Sequence, residues 1–439
     1  MTEPRRIVIL GAAGRDFHNF NTLYRGRPDV TVVAFTAAQI PDIAGRAYPA
    51  ELAGPGYPDG IGIVEESELA DLIARERVDE CVFSYSDVSY DHVMHLASIC
   101  NAAGAQFSLP GAAPTMVRST KPVIAITSVR TGVGKSQTTR FVTRVLQDLG
   151  RTVVSVRHPM PYGDLAKQAV QRFATYEDLD AHECTIEERE EYEPHIAAGF
   201  VMYAGVDYEA ILRQAEAEAD VILWDGGNND LPFFAPDLHI CLADPLRPGD
   251  EARYYPGETN VRMADLVIVN KCDSAGEEAI VAVEESVRRL NPTATVIRCD
   301  SPVTVDDPDA VRGKRVIVVE DGPTLTHGSM SFGAGVVGAR AAGVAEIVDP
   351  APFAVKSLAD TYAKYTNARG ILPAMGYGPA QVRDLEATID AADADAVIAG
   401  TPTDLGRVIS VNKPIVRARY DLAEREPGRI ADAVRAVVG

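Results

Sequence analysis

Residues 121–150 read KPVIAITSVRTGVGKSQTTRFVTRVLQDLG. Pro122–Val129 is an apolar, β-branched run that reads as a buried strand. Gly132-Val133-Gly134 breaks it, and from Lys135 onward apolar residues recur at helical spacing. Strand, glycine turn and helix in that order make a phosphate cradle. Glycines let backbone N–H groups turn inward, and the helix N-terminus adds its positive dipole. Lys135 then reaches the β- and γ-phosphates as a catalytic cation, and the Ser136 hydroxyl ligates Mg2+. Gly132, Val133, Gly134, Lys135, Ser136 and Gln137 are the expected nucleotide-binding run. The full pattern GxxxxGK[ST] is not met, because its first glycine position holds Val129.

That departure carries information. Arg130–Ser136 resembles the K-G-G-x-G-K-[ST] loop of the P-loop class that includes MinD and dethiobiotin synthetase. Arg130 stands where members with the deviant loop carry a signature lysine that acts across a dimer, which implies a catalytic arginine and a homodimer. Downstream, Val221-Ile222-Leu223-Trp224 delivers Asp225 to the C-terminal edge of a strand, where it would ligate Mg2+. Asn270-Lys271-Cys272-Asp273 matches the N-K-x-D pattern that reads guanine. Relatives of dethiobiotin synthetase keep the Asn-Lys while using ATP, so the nucleotide is expected to be ATP or GTP.

Outward from this unit, short β-branched runs alternate with helical patterns along the whole chain, the mark of parallel sheets. RRIVILG (5–11), DVTVVAF (29–35) and ECVFSY (80–85) read as the first strands. TVVSVR, DVILWDGG, LHICLAD and DLVIVNKCD follow the phosphate loop, and TATVIRCD (293–300) closes its sheet. GKRVIVVEDGPTLTHG (313–328), ADAVIAGTP and KPIVRARYD supply a third unit. The expected fold is α/β: a Rossmann-like N-terminal domain (1–120), a central P-loop NTPase domain (121–312) and a C-terminal parallel α/β domain (313–439). The polar stretch 160–200 reads as a lid or a disordered segment, and its run Glu187-Glu188-Arg189-Glu190-Glu191 as a solvated face.

Composition narrows the function. The net charge of −21 disfavours nucleic acid and anionic membrane surfaces as partners. The six cysteines form no CxxC pair, and the chain starts without a secretory signal, so a reducing, cytoplasmic setting is expected. Gly11-Ala12-Ala13-Gly14-Arg15-Asp16-Phe17 matches a dinucleotide fingerprint only in part, with Phe17 in the third glycine position and no acidic residue after the second strand. It reads as an anion site using Gly11, Gly14, Arg15 and His18, or as a fold-stabilising turn. Arg157, His158 and Arg172 are further candidates for neutralising an anionic substrate. Glu320, Asp321 and His327 gather on a loop at a strand's carboxyl end, where α/β sites collect.

Together, GAAGRDFHNFN, TAAQIP, RTGVGKSQT, RHPMPYGDL, WDGGNND, NKCD and VEDGPTLTHG resemble the cyclic 2,3-diphosphoglycerate synthetase-like proteins, also known as predicted GTPases with NAD-binding-like and P-loop domains. The resemblance covers nearly the whole chain. It implies a Mg2+- and ATP-dependent ligase that closes 2,3-diphosphoglycerate into a cyclic phosphoanhydride, with a small phosphorylated acid as substrate. The alternative is a GTP-hydrolysing switch or chaperone for a protein or metal partner.

Overall fold

The computed structural model describes residues 3–39, 43–158, 163–322, 325, 330–374 and 379–439. Among them the chain forms three main sheets, each flanked by helices. The first runs Ala47–Tyr48, Ile61–Glu65, Val30–Ala37, Arg5–Leu10, Glu80–Phe83, Gln106–Ser108. The second has nine strands, in the order Gln171–Phe173, Val201–Ala204, Val153–Arg157, Val221–Asp225, Val123–Ser128, Leu238–Ala243, Leu266–Val269, Thr295–Asp300, Ala423–Glu424. The third centres on Arg315–Asp321, which pairs with Ala396–Ala399, Glu346–Ile347 and Leu372–Ala374. The fold is α/β with parallel sheets, as the sequence implied.

Sheet interiors are parallel and the antiparallel pairs sit at the edges. The buried strands are continuous apolar runs, as two covered faces demand. Val123–Ser128, Val221–Asp225 and Leu238–Ala243 are buried at every position.

Two features escape the sequence reading. Thr295–Asp300 does not close the middle sheet. The chain returns after the third unit, and Ala423–Glu424 pairs with Cys299 and Asp300. Helix Arg429–Val438 then packs on helix Lys135–Asp148, burying Ile430 and Val434 in the central core. The 160–200 stretch, moreover, contains the strand Gln171–Phe173 and the helices Tyr176–Ala181 and Ile186–Ala197.

A two-stranded ribbon, Val88–Ser89 against Tyr254–Tyr255, stitches the first unit to the second. No described helix is long and apolar enough to cross a membrane.

Candidate active site

All three units meet around one cleft of about 1780 Å³, its open mouth included. The phosphate loop forms its floor. Gly132 and Gly134 have φ of +78° and +116°, in the left-handed region that a side chain disfavours. A Cβ on Gly134 would lie 2.4 Å from both Asn270 Nδ2 and Gln137 Nε2, so this glycine is needed for space as well as for φ. Val129, in the place of the missing first glycine, is buried, and its backbone lies against Gly257.

Lys135 opens helix Lys135–Asp148 and lines the cleft. Its Nζ donates to Ser128 Oγ at 3.0 Å and to the Asn228 carbonyl. Burial, helped by the nearby Arg157 guanidinium, pushes its pKa down to about 8. A bound polyphosphate would reverse that shift. Ser136 and Gln137 also line the cleft, and Gln137 Oε1 accepts from Ser301 Oγ at 3.1 Å.

The N-K-x-D residues hold the loop from behind. Asn270 Nδ2 donates to the Val133 carbonyl at 2.7 Å, and Lys271 Nζ to the Gly132 carbonyl at 2.5 Å. Asp273 is exposed, and its carboxylate accepts from the Ser301 amide at 3.0 Å.

Arg130 is not among the residues lining the cleft. Its Nε and Nη1 lie 2.5 Å from Asp87 and Asp250 respectively, and its guanidinium stacks 3.5 Å over Tyr254. Asp87 comes from the first unit, sits at φ +60°, and also accepts from the Thr131 amide at 3.1 Å. Its own amide donates to Asn229 Oδ1 at 2.7 Å. The first unit is therefore tied both to the Arg130–Ser136 loop and to the turn at Asn229, a link that no spacing in the sequence discloses.

Asp225 ends its strand as expected but is fully buried and is not among the residues lining the cleft. Arg157 Nη1 lies 2.8 Å away and His195 Nε2 3.3 Å away, and Arg157 also pairs with Glu191. Burial opposes both charges, yet the pairing prevails: the Asp225 pKa is lowered and that of Arg157 raised. Neither Asp225 oxygen receives an aligned hydrogen bond. Ser136 opens on the cleft, as a Mg2+ ligand would have to, while Asp225 is paired here with Arg157 and His195.

Within the acidic run, Glu188 and Glu190 are buried rather than part of a solvated face. Glu188 and Glu190 are 3% exposed and Glu193 2%. Glu190 Oε1 accepts from Thr401 Oγ1, and Glu193 Oε2 from the Asp404 amide at 2.9 Å. Helix Ile186–Ala197 thus ties the third unit to the second and turns Glu190 and Glu191 toward the cleft. Sequence reasoning missed both residues as site groups; the buried Tyr192 and Ile196 beside them were the available signal.

The proposed anion residues divide. Arg15, His158, Arg157, Glu320 and Asp321 line the cleft. Arg172 does not; it pairs with Glu218 at 2.8 Å on an outer edge. His18 is buried, bonds to the Thr115 carbonyl and stacks 4.1 Å from Phe233. Burial and then Arg15 push its pKa down to about 3, so it stays neutral. The turn between Gly11 and Gly14 is already filled. Asp16 Oδ1 accepts from the Ala13, Gly14 and Phe17 amides at 2.8, 3.0 and 2.7 Å, where an external anion would sit.

Glu320 does the same in the third unit, accepting from Gly333, Gly335 and Val336 amides at 3.0, 3.0 and 2.8 Å. Burial raises the pKa of both carboxyls to about 7. His327 lies outside the described residues.

The family model described as "Cyclic 2,3-diphosphoglycerate synthetase, P-loop domain" matches residues 194–299. Arginine synthetase ArcE of Thermococcus kodakarensis is 61% identical over 96% of this chain and 94% of that protein. The cyclic 2,3-diphosphoglycerate synthetase of Thermococcus onnurineus is 22% identical, over 54% of this chain and 58% of that one. Among solved structures, LpxK from Aquifex aeolicus in complex with ATP aligns with a TM-score of 0.44 and 11% identity, covering 74% of this chain and 90% of that one. The chain belongs to the cyclic 2,3-diphosphoglycerate synthetase-like family of P-loop enzymes, within which it is similar along nearly all its length to an arginine synthetase.

Proposed function

We propose that the protein is an ATP-dependent arginine synthetase, a ligase that converts the ureido analogue of arginine and ammonia to arginine. The observation that carries this reading is the charge of the cleft. Six acidic side chains line it (Asp16, Glu190, Glu191, Asp230, Glu320, Asp321), of which Asp16 and Glu320 are already capped by loop amides, against four basic ones (Arg15, Lys135, Arg157, Lys271). The polyphosphate of the nucleotide calls on Lys135, and Arg157 is neutralised by Asp225 and Glu191. That leaves Arg15 and Lys271 to face 2,3-diphosphoglycerate, with its two phosphates and a carboxylate. A guanidinium, by contrast, is the planar cation that carboxylates recognise. The 61% identity to an arginine synthetase supports the same choice.

The chemistry follows from what must leave. A ureido oxygen is a poor leaving group until it carries phosphate. The γ-phosphoryl group passes from ATP to that oxygen, releasing ADP. The ammonia lone pair then adds to the activated carbon, and phosphate departs with the former ureido oxygen. Ammonium must first give up a proton, and Glu190 and Glu191, which line the cleft, are the candidate acceptors. Mg2+, when bound, neutralises charge on the β- and γ-phosphate oxygens; Ser136 would hold it. Lys135 orients the γ-phosphate, and transfer depends on positioning and electrostatics rather than on a covalent enzyme intermediate. With this reading goes a division at 1–120, 121–312 and 313–439, residues 421–439 being lent back to the middle unit.

The test supplies ATP, Mg2+, ammonium and citrulline, the ureido analogue, and measures arginine and ADP. Parallel reactions replace citrulline by 2,3-diphosphoglycerate, followed by phosphorus NMR, or ATP by GTP. Equimolar arginine and ADP are expected. Cyclic diphosphoglycerate without arginine would reinstate the phosphorylated acid. GTP hydrolysis with no acceptor would favour a switch instead.

A further inference from the structure

Arg15 is a cation with no direct ion pair among the described residues. It is 8% exposed, and Asp230 and Asp16 act on it electrostatically without contacting its guanidinium. One nitrogen donates to Thr115 Oγ1, and the face stacks 5.2 Å from the Phe233 ring. The other terminal nitrogen, Nη1, is buried with no hydrogen-bond partner. Leaving a buried guanidinium nitrogen unpaired is costly, and this one belongs to a residue that lines the cleft.

Asp230, 4% exposed, lies on the same wall and acts electrostatically on Arg15. Its contact is His158 Nδ1 at 3.3 Å. Asp230 is two residues beyond Asn228, whose carbonyl receives Lys135 Nζ. The pair therefore lines the same cleft as Lys135, with Asp230 on the turn that receives the lysine.

We propose that Arg15 and Asp230 form the subsite for the α-amino-acid head group of the acceptor, Arg15 taking its carboxylate and Asp230 its ammonium. A zwitterion presents one charge to each, and its side chain then extends toward Lys135 and the carboxylates of Glu190 and Glu191. This rests on the arginine-forming reading for the identity of the acceptor, but the head-group chemistry is separable from the reaction. The same two residues select against decarboxylated or deaminated analogues, whatever happens at the far end.

Calorimetric titration of the full-length protein with arginine and with agmatine, arginine's decarboxylated form, tests it. Arginine is expected to bind at least tenfold more tightly. Arg15→Gln should bring the ratio near one and raise KM for citrulline at least tenfold while leaving KM for ATP unchanged. Asp230→Asn should erase discrimination between arginine and its deaminated analogue. Should Arg15→Gln fail to fold, the ligand series on the unaltered protein decides alone. Equal binding of arginine and agmatine, or binding of neither, overturns the subsite even if arginine is made. Preference for arginine with no turnover of citrulline keeps the subsite and sinks the reaction.

Discussion

At the scale of single residues, Lys135 and Asp87 set different limits on the reaction. On the proposed reading, replacing Lys135 by Ala would remove the main protein cation facing the γ-phosphate, an electrostatic contribution of about 3–4 kcal/mol. Turnover is expected to fall by a factor of about 10²–10³ with the far-ultraviolet circular dichroism unchanged. Because its pKa is pushed down to about 8, the free enzyme loses this charge as pH rises through 8. The rate in kcat/KM should decline on that alkaline limb, and in kcat the limb should move upward, since bound phosphate favours the protonated amine. A flat profile to pH 9.5 would remove Lys135 from the charged role. Asp87 acts at one remove, through Arg130 and the Thr131 amide. Asp87→Ala leaves a buried guanidinium short of its carboxylate, a loss of about 3 kcal/mol. A raised KM for ATP with KM for citrulline unchanged is the expected kinetic signature.

At the scale of elements, Glu320 caps helix Ala334–Ala342 from within. Its folded pKa of about 7 lies above the ordinary glutamate value. The linked stability is therefore fully present below about pH 4.5 and is lost as pH rises through 7. Glu320→Gln carries no titrating proton, so the gap in Tm between native protein and variant should change between pH 5 and 8.5, the native protein losing more. An identical pH dependence would show that the carboxylate does not titrate there.

This cap also shows what the sequence could and could not disclose. Strands such as Val123–Ser128 and Leu238–Ala243 were legible because both faces are buried and the apolar run is unbroken. The phosphate loop was legible because its glycines and lysine are contiguous. Helix Ile186–Ala197 was not: its carboxylates are compensated by Thr401 and Asp404, some 200 residues away, so its buried charges look solvated from local pattern alone. The turn at Gly11–Gly14 left two readings open for a different reason. A glycine turn with an Asp two residues on can satisfy itself, because the side chain accepts from the amides of its own loop.

At the scale of the whole molecule, the central sheet depends on residues that follow the third unit. Leu422, Ile430 and Val434 are 0–6% exposed and belong to the central core, and Arg151 Nη2 donates to the Val438 carbonyl at 2.7 Å. Ending the chain after Asp421 removes these three side chains, a loss of about 6 kcal/mol at about 2 kcal/mol each. Such a protein should unfold at markedly lower urea concentration and lose ATP binding, although its phosphate loop is intact. Wild-type affinity for ATP in the truncated protein would count against this dependence. The returning strand and helix also order events during synthesis. The sheet edge at Thr295–Asp300 leaves the ribosome first and stays open while the entire third unit emerges. Helix Lys135–Asp148, which opens on the glycine loop, lacks this covering until residues 429–438 have emerged. Nucleotide binding is therefore expected to lag behind synthesis of the loop itself and to appear only once that helix is in place.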